Sequence, residues 1–353
     1  EKHCIPDMIK NLTKLELKCI KNYHKWHFGT INIHSGKEKD EGSKMYTIAK
    51  EVSRAGLSFC CLQEVKYRNT GKKLIRLDNG EQFEFHWCGM QKRRDAGVGF
   101  LIKVDPRIEI SDPDIQDARF MSMDLKVYGF NLRVINVYSP TESNGSDNQK
   151  DMFYRSINKA CIKREKHQKV IVVGDFNAKT SIAYKKCNYD GNSIVPDDDF
   201  NDNGSRLKSF CRRNRLCIAS TFFDHTPEDR YTWYSCDKRT KKVNDYVLTE
   251  SYVQQFVTDC IAKREFDFDS DHCILITSLC TPMTRKARWV RKTPKKNLPN
   301  IKSLLNKTMQ EQFKNDVSRQ LWDERILQSS DDISKIIISS LTTAAQRTLP
   351  VSY

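Results

Sequence analysis

Short apolar segments that end beside a polar residue recur through most of this chain, and they restrict it to folds built on buried strands. Val170–Val173 is a β-branched run that leads through one glycine to Asp175. Phe59–Leu62 leads in the same way to Glu64. Runs of roughly four to eight such residues, bounded by Gly, Asn, Asp or Pro, are typical of strands. Side chains at strand ends can be held rigidly at the edge of a sheet, so the pattern also predicts where a site would lie.

The region from Trp26 to Leu279 therefore predicts an α/β protein with many short strands. Apolar residues at helical spacing predict helices around Ile48, Ile157 and Phe210. Ser205 is the expected N-cap of the third helix. The predicted strands are Phe28–Ile33, Ser58–Leu62, Phe83–Cys88, Val98–Lys103, Phe120–Val127, Leu132–Tyr138, Val170–Val173, Leu216–Ser220, Tyr231–Tyr234, Val243–Leu248 and Cys273–Ser278.

The composition changes after Leu279. Seven Lys and Arg residues with no acidic residue among them lie between Arg285 and Lys296, which is typical of a basic linker. Two segments with helical periodicity follow, Ile301–Leu321 and Ile333–Leu341, and no strands accompany them. The predicted organisation is a basic leader over 1–25, one large α/β domain over 26–280, a basic linker over 281–300 and a helical tail over 301–353.

The chain has 353 residues and carries 60 Lys and Arg against 45 Asp and Glu, a formal net charge of +15. This excess favours a polyanionic partner, because each neutralised phosphate releases condensed counterions. A merely soluble basic protein is the alternative. No apolar run approaches the ~20 residues of a bilayer-crossing helix, and no signal segment opens the chain.

Thirteen cysteines, an odd number without a CxxC pair, predict free thiols in a reducing compartment rather than disulfides or a zinc cluster. We therefore expect an intracellular protein that is neither secreted nor bound to a membrane. The basic cluster between Arg285 and Lys296 indicates either a nuclear-import signal, and hence a nuclear protein, or an ordinary charged linker.

Polar residues at successive strand ends supply the groups that phosphodiester hydrolysis requires. Carboxylates bind Mg²⁺, which neutralises charge on the phosphoryl oxygens. Asn, Tyr and His donate hydrogen bonds to phosphate, and an Asp can accept a proton from water. Taken singly these residues are more often structural, since an Asp after a strand is usually a turn residue. The set consists of Asn32, Glu64, Asn136, Tyr138, Asp175, Asn177, Asp245, Asp271 and His272.

The ordered motifs resemble the endonuclease/exonuclease/phosphatase superfamily, which includes abasic-site endonucleases and DNase I. Finer features resemble the endonucleases of non-LTR retrotransposons, in particular the RTE-like group and the related craniofacial-development-protein-2-like sequences. The tail is similar to the helical connector that such elements place before their reverse transcriptase. The motifs are Gln63-Glu64, Asn136-Val-Tyr-Ser-Pro140, Gly174-Asp-Phe-Asn177, Tyr231-Thr-Trp233, Asp245-Tyr246 and Ser270-Asp-His272.

This resemblance implies a DNase I-like fold, a four-layer α/β sandwich of two packed, mostly antiparallel β-sheets flanked by helices. It also implies a Mg²⁺-dependent DNA endonuclease that nicks one strand and leaves 3′-hydroxyl and 5′-phosphate ends, with Mn²⁺ as the alternative ion. DNA would be the partner, and a reverse transcriptase would be fused or encoded downstream in the parent element.

The resemblance also assigns a role to each residue of the set. Glu64 would be the principal metal ligand, assisted by Asp271. Asp175 would position or deprotonate the attacking water, and His272, oriented by Asp245, would contact the scissile phosphate. The residues assigned to phosphate oxygens or to the shape of the phosphate site are Asn32, Asn136, Tyr138 and Asn177.

Three positions depart from the family pattern. Ile31 stands where a Trp is usual, and His34 stands where abasic-site endonucleases have an Asp, which makes abasic-site repair a less favoured activity. Asn244 stands where Ile or Leu is expected on a buried strand face, and a buried polar group without a partner costs ~1–3 kcal/mol. The alternatives are therefore a catalytically impaired, domesticated DNA-binding or scaffold protein and, less favoured, a phosphatase or lipid phosphodiesterase.

A predicted hairpin around Trp233 and Tyr234 is flanked by basic residues. Basic side chains can follow DNA phosphates, and in the retrotransposon enzymes a loop at this place touches the minor groove. For Trp233 itself we expect a position in the core. The candidate DNA contacts are Arg230, Lys238, Arg239, Lys241 and Lys242.

Overall fold

The structure is a computed structural model that describes residues 23–35, 43–91, 96–143, 145–180, 200–282 and 306–323, with isolated positions at 341, 343–345 and 347. The chain divides into two compact units, residues 1–287 and 288–353. The second unit contains the described helix Lys307–Asp323, which lies within the predicted tail. Most of the predicted leader and linker lie outside the described residues, as does the predicted helix over 333–340. No described helix is both long and apolar enough to cross a membrane.

Seven strands form the first sheet, in the order β15-β16-β1-β2-β5-β4-β3. Strands β1 and β2 are parallel, and the other pairs are antiparallel. Helix α1 (Ser43–Arg54) connects β1 to β2. The strands are β1 (Tyr23–Asn32), β2 (Leu57–Gln63), β3 (Thr70–Arg76), β4 (Gln82–Cys88), β5 (Val98–Lys103), β15 (Val257–Lys263) and β16 (Ile274–Pro282).

The second sheet also has seven strands, in the order β11-β14-β10-β9-β8-β6, with β7 paired to β8. Strands β9 and β10 are parallel, and helix α2 (Asp147–Ile162) connects them. The strands are β6 (Ile108–Ile110), β7 (Asp114–Asp117), β8 (Phe120–Val127), β9 (Phe130–Tyr138), β10 (Lys169–Asp175), β11 (Leu216–Ile218) and β14 (Asp245–Glu250). A separate short hairpin consists of β12 (Trp233–Tyr234) and β13 (Lys241–Lys242).

Side chains alternate along each strand and thereby form three apolar layers. Phe28 and Phe59 of the first sheet pack with Val134 and Val173 of the second to fill the space between the sheets. A second cluster packs α1 on the outer face of the first sheet, and a third packs α2 and α3 (Asp202–Asn214) on the outer face of the second. The first unit is therefore the predicted four-layer sandwich of two mostly antiparallel sheets.

Element boundaries differ from the prediction in several places. The N-cap of α3 is Asn201, whose side chain accepts a hydrogen bond from the Gly204 amide, so the prediction of Ser205 was wrong. Strand β11 ends at Ile218, where a 3₁₀ turn begins, and a short helix, α4 (Ser251–Gln254), was not predicted. Strands β3, β6, β7, β13 and β15 were also missed, because these segments lack a continuous apolar run.

Strand ends from both sheets meet at one edge, which we call the polar edge. In the first sheet Asn32 is aligned with Gln63, and in the second Asp175 is aligned with both Tyr138 and Asp245. Gly174, at φ 144°, allows β10 to approach β9 there, since a Cβ would overlap the carbonyl oxygen of Val137. The topology therefore brings together residues that are far apart in the chain.

Candidate active site

A cleft of about 300 Å³ opens at the polar edge. It contains most of the predicted set, although these residues come from the ends of five different strands. The cleft-lining residues that were predicted as catalytic, metal or phosphate groups are Asn32, Glu64, Tyr138, Asp175, Asn177, Asp271 and His272. Thr141, Glu142, Lys179 and Asn201 also line it and were not identified from the sequence.

Glu64 follows β2 directly and its carboxylate is held by three donors. Oε1 accepts hydrogen bonds from Asn32 Nδ2 at 3.0 Å and from the Tyr138 hydroxyl at 2.8 Å. Oε2 lies 2.9 Å from Lys66 Nζ. Burial raises the pKa of Glu64, but these donors outweigh burial and hold the pKa below its ordinary value. The carboxylate is therefore kept ionised.

Asp175 ends β10 and is 1% exposed. Oδ2 accepts a hydrogen bond from Asn32 Nδ2 at 3.1 Å, and Oδ1 accepts one from the Asn177 amide at 2.8 Å. Burial and the neighbouring charge of Asp245 raise the pKa of Asp175 well above that of an ordinary carboxyl. Two carboxylates at strand ends therefore differ in environment, since Glu64 is stabilised as an anion and Asp175 is not.

His272 lies directly before β16, between two carboxylates. Nδ1 is 2.8 Å from Asp245 Oδ2, and Nε2 is 3.9 Å from Asp175 Oδ2. Burial lowers the pKa of His272, but the charge and hydrogen bond of Asp245 outweigh it and raise the pKa above its ordinary value. Asp245 is fully buried and does not line the cleft, so it acts on the cleft through His272.

Asp271 is held by Trp233, which was expected in the core. The Trp233 indole Nε1 donates to Asp271 Oδ2 at 2.8 Å, and the Tyr234 amide donates to the Asp271 carbonyl oxygen at 2.9 Å. Trp233 is half-buried and lines the cleft, so the expected core position was wrong. An antiparallel main-chain bridge between Trp233 and His272 places the indole of Trp233 beside the carboxylate of Asp271. Asp271 Oδ1 is buried without a hydrogen-bond partner.

Asn136, which was predicted to bind phosphate or to help shape the phosphate site, does not line the cleft. It is 0% exposed, and its Nδ2 donates to the carbonyl oxygens of Leu62 at 3.0 Å and Gly99 at 2.7 Å. Its Oδ1 accepts a hydrogen bond from Gln63 Nε2 at 2.6 Å. Both ends of the amide are thus used to join the two sheets beneath the cleft, and direct contact with phosphate does not fit this geometry.

Three residues at the cleft have left-handed backbone conformations. The φ angles of His34, Glu64 and Asn177 are 54°, 50° and 46°. Such conformations cost roughly 1–3 kcal/mol for residues other than glycine and cluster at functional sites. Local hydrogen bonds support them, since Asn32 Oδ1 accepts from the His34 amide and Asn177 Nδ2 donates to the Ser139 carbonyl oxygen.

A family model for the endonuclease/exonuclease/phosphatase family matches residues 29–272, which span the whole polar edge. The chain belongs to the endonuclease/exonuclease/phosphatase family. This match confirms the superfamily that the motifs indicated.

Several known proteins are similar to the chain at low sequence identity. Craniofacial development protein 2 of Bos taurus is 26% identical over 268 residues, which cover 74% of this chain and 42% of that protein. The match thus spans less than half the length of this relative. An AP endonuclease from Leishmania major is 14% identical, with a TM-score of 0.53 over 73% of this chain and 88% of that one. The endonuclease domain of the TRAS1 non-LTR retrotransposon is 11% identical, with a TM-score of 0.49 over 74% of this chain and 100% of that domain.

In this family member, Ser270 and Thr232 lie within the quoted motifs, but their role in supporting the cleft was not predicted. Ser270 Oγ donates to the Asn32 carbonyl oxygen at 2.6 Å and accepts from the His272 amide. Thr232 Oγ1 accepts from the amides of Asn244 and Asp245, each at 3.0 Å. The Thr232 hydroxyl bonds to residues at least 12 positions away, and the Ser270 hydroxyl bonds to Asn32, 238 positions away, as well as to the nearby His272 amide. The sequence alone does not show these distant contacts.

Two of the departures have a structural explanation. Ile31 is 1% exposed and packs in the layer beneath α1. Asn244 is half-buried and lines the cleft, and its carbonyl oxygen accepts a hydrogen bond from the Phe176 amide. Asn244 therefore does not lie on a buried apolar face, and the cost that was expected for it does not apply.

The five candidate DNA contacts differ in their surroundings. Arg230 is turned inward, since its guanidinium donates to the His225 and Phe223 carbonyl oxygens and pairs with Asp224. Lys241 lies over the Tyr231 and Tyr234 rings. Lys242 lies over the Trp233 ring and lines the cleft, whereas Lys238 and Arg239 are exposed at the hairpin turn. Of the five candidates, Lys242 is therefore the one that lines the cleft, whereas the contacts of Arg230 fit a structural role.

Two groups of side chains could hold a metal ion. Ligand atoms of Asp175, Asp245 and His272 lie within 4.8 Å of one another. However, Asp245 occupies Nδ1 of His272 and favours the protonated ring, which cannot ligate through its protonated nitrogens. Glu64 and Asp271 offer oxygen atoms to the same cleft, and the buried Oδ1 of Asp271 lacks a partner. These two carboxylates fit a hard divalent ion better.

Proposed function

We propose that this chain is a Mg²⁺-dependent DNA endonuclease that hydrolyses phosphodiester bonds and nicks one strand. The observation that carries the proposal is the cleft itself, where an ionised Glu64, a raised-pKa Asp175 and a cationic His272 meet. Phosphodiester hydrolysis needs these three functions together: a metal ligand, a proton acceptor and a donor to phosphate.

Asp175 is the proposed general base. Its two oxygens are oriented by Asn32 and the Asn177 amide, and its raised pKa suits a group that must take a proton from water near neutrality. His272, held charged by Asp245, donates from Nε2 toward the phosphate. The remaining donors in the cleft are the amides of Asn32 and Asn177 and the hydroxyl of Tyr138, which support phosphate oxygens as charge develops on them.

The proposed metal ligands are Glu64 and Asp271. A bound Mg²⁺, or Mn²⁺ in its place, neutralises charge on the phosphoryl oxygens and on the leaving oxygen. Tyr138 and Lys66 hold the Glu64 carboxylate in place, and Trp233 does the same for Asp271.

DNA is the proposed substrate, in keeping with the net charge of +15. We also propose a retrotransposon origin of the RTE-like kind, a parent element with a fused or downstream reverse transcriptase, and a nuclear location. The motif resemblance supports the origin and the parent element, and the basic cluster between Arg285 and Lys296 supports the nuclear location. All nine residues that the resemblance assigned are present in the sequence, and seven of them line the cleft, which favours an active enzyme over the impaired DNA-binding or scaffold alternative.

The test is nicking of supercoiled plasmid in Mg²⁺ and in excess chelator. Wild type should convert supercoiled to open-circular DNA only with metal. Glu64→Ala should lose about 100-fold or more of the rate and bind Mg²⁺ more weakly. Asp175→Asn should bind metal and DNA normally but lose about 10²–10⁴-fold in turnover, because an amide cannot accept the proton. Unchanged nicking in chelator would contradict the metal role, and DNA binding without nicking would favour the scaffold alternative.

A further inference from the structure

The strand at one edge of the first sheet, β3, and the segment before it carry a run of cations. From Val65 to Leu77 the chain has five basic residues and no acidic residue. One of them, Lys66, pairs with Glu64 in the cleft. The other four are exposed and form no ion pair with any residue that the structure describes: Arg68, Lys72, Lys73 and Arg76.

The start of β3 lies at the same level as the cleft. Strand register aligns Thr70 with Cys88, Cys88 with Val98, Val98 with Gln63, and Gln63 with Asn32. With strands spaced about 4.8 Å apart, Thr70 lies roughly 14 Å from Gln63 and roughly 19 Å from Asn32 across the sheet. A DNA duplex rises 3.4 Å per base pair, so this distance corresponds to ~4–6 base pairs.

The carboxylates on the neighbouring strand are already occupied. Glu81 pairs with Lys103 and accepts a hydrogen bond from Ser53. Glu84 pairs with His86 at 3.0 Å. These two carboxylates thus have partners within the fold, and no acidic residue that the structure describes pairs with the four exposed cations.

Aromatic packing makes this edge rigid. The Trp87 ring lies flat over Gly71, where any Cβ would overlap it, and the Trp87 indole donates to the Arg68 carbonyl oxygen at 3.4 Å. Tyr67 and Phe85 pack against the same ring, each with centroids 5.1 Å from it. Arg68, Lys72 and Lys73 thus project from a fixed support rather than from a free loop.

We propose that Arg68, Lys72 and Lys73, which we call the basic rim, bind the phosphate backbone of the duplex that flanks the cleft on the β3 side. The inference rests on the proposed DNA endonuclease function and adds the direction in which the DNA leaves the cleft. Lysines on an edge strand also prevent strand-to-strand association. Protecting the edge requires neither a position level with the cleft nor charges of one sign. The basic rim has both of these properties.

Arg76 supplies the matched control. It lies on the same strand, is also exposed, and is four residues beyond Lys72, which is roughly 13 Å farther from the polar edge. A duplex that follows the polar edge contacts the rim but not Arg76.

The experiment measures binding of the full chain to a labelled 30-base-pair duplex in EDTA, by fluorescence anisotropy over a range of salt concentrations. The Lys72→Ala/Lys73→Ala variant should bind at least about tenfold more weakly near 0.1 M salt, with a salt slope lower by about 2. Arg68→Ala should lower the slope by about 1. Arg76→Ala should bind as wild type. On a fragment with a mapped nick, trimming the β3-side flank below about four base pairs should abolish these differences.

Wild-type affinity in the Lys72→Ala/Lys73→Ala variant would overturn the proposal that the basic rim binds DNA. The two lysines would then serve only to prevent association through the β3 edge. An equal loss in Arg76→Ala would also overturn it, because binding would then follow total charge. Plasmid nicking by wild type in Mg²⁺ is measured separately. If DNA binds with the predicted pattern but is never nicked, the rim stands and the endonuclease function fails. If nicking occurs and the variants bind normally, the rim alone fails.

Discussion

At the scale of single residues, the cleft depends on contacts between positions that are remote in the chain. Asn32 donates to Asp175, 143 residues away, and Asn136 of the second sheet donates to the Leu62 carbonyl oxygen of the first. The motifs predicted which residue types meet at the polar edge. They did not predict which of them touch each other, because strand order and sheet packing decide that.

The His272–Asp245 pair should behave as one unit. Asp245 is fully buried and fixes the orientation and charge of the imidazole. We expect Asp245→Ala and His272→Ala each to lower the plasmid-nicking rate by about 10²–10⁴-fold, and the double variant to be little worse than either. Single-turnover rates at saturating Mg²⁺ measure this, with circular dichroism to check folding. Losses that multiply in the double variant would mean that the two residues act independently.

Trp233 should set the affinity of the metal site. Trp233→Phe removes the indole donor to Asp271 while keeping an aromatic ring in the cleft. Loss of a partner that orients a ligand typically costs 10–100-fold in metal affinity. Isothermal titration calorimetry with Mn²⁺ should therefore give a dissociation constant about 10–100-fold higher for Trp233→Phe than for wild type. The control is Trp87→Phe, whose indole donates to the Arg68 carbonyl oxygen and not to Asp271. An equal loss of affinity in Trp87→Phe, or wild-type affinity in Trp233→Phe, would contradict the assignment.

Trp233 also shows where residue-level prediction failed. An aromatic residue in a short strand is usually a core residue, and nothing beside it in the chain marks it as polar in function. Its partner Asp271 is 38 residues away and reaches it through a main-chain bridge. For Asn136, the motif predicted a place at the phosphate site but not that its amide would bond within the core beneath the cleft.

At the scale of elements, strands rich in β-branched and aromatic residues were predicted well. Strands β8, β9 and β10 are predicted within a few residues of their observed bounds. The missed strands are short, or lie at sheet edges where charged residues interrupt the pattern, as in Thr70–Arg76. Edge strands need only one neighbour and little burial, so they leave a weak signal in the sequence.

The N-terminus of α3 offers a test at this scale. Asn201 Oδ1 accepts hydrogen bonds from the amides of Gly204 and Lys179, and Nδ2 donates to the Asn177 carbonyl oxygen. Asn201→Ala should therefore lower the free energy of unfolding by about 1–2 kcal/mol in urea. Ser205→Ala, one turn inside the helix, should change it by less than about 0.5 kcal/mol. A larger loss of unfolding free energy in Ser205→Ala than in Asn201→Ala would instead identify Ser205 as the N-cap.

At the scale of the whole molecule, burial divides the described cysteines into two classes. All ten described cysteines are free thiols, and Cys236 is the exposed one among them. Burial raises the pKa of the core thiols, for example that of Cys260 to about 12. Their sulfurs are therefore both shielded and protonated at neutral pH.

Alkylation should separate these thiols clearly. We expect brief iodoacetamide treatment of the native protein to modify Cys236 and to spare the eight buried cysteines, which react only in denaturant. Peptide mass spectrometry gives the sites, and Cys236→Ser serves as the control. Rapid native labelling of Cys60 or Cys61 would mean that the layer around β2 opens readily.

The pairing of β1 with β16 governs how the catalytic domain must assemble. These adjacent strands stand near the two ends of the domain, and the Trp26 indole bonds to Thr281, 255 residues away. Contacts of such long range require a large loop to close before they contribute, and a high contact order slows folding. While the chain is being synthesised, β1 has only β2 as a neighbour until β16 has emerged. The polar edge is likewise incomplete until then, because His272 lies two residues before β16. The nascent protein therefore completes its cleft only at the last step of domain synthesis.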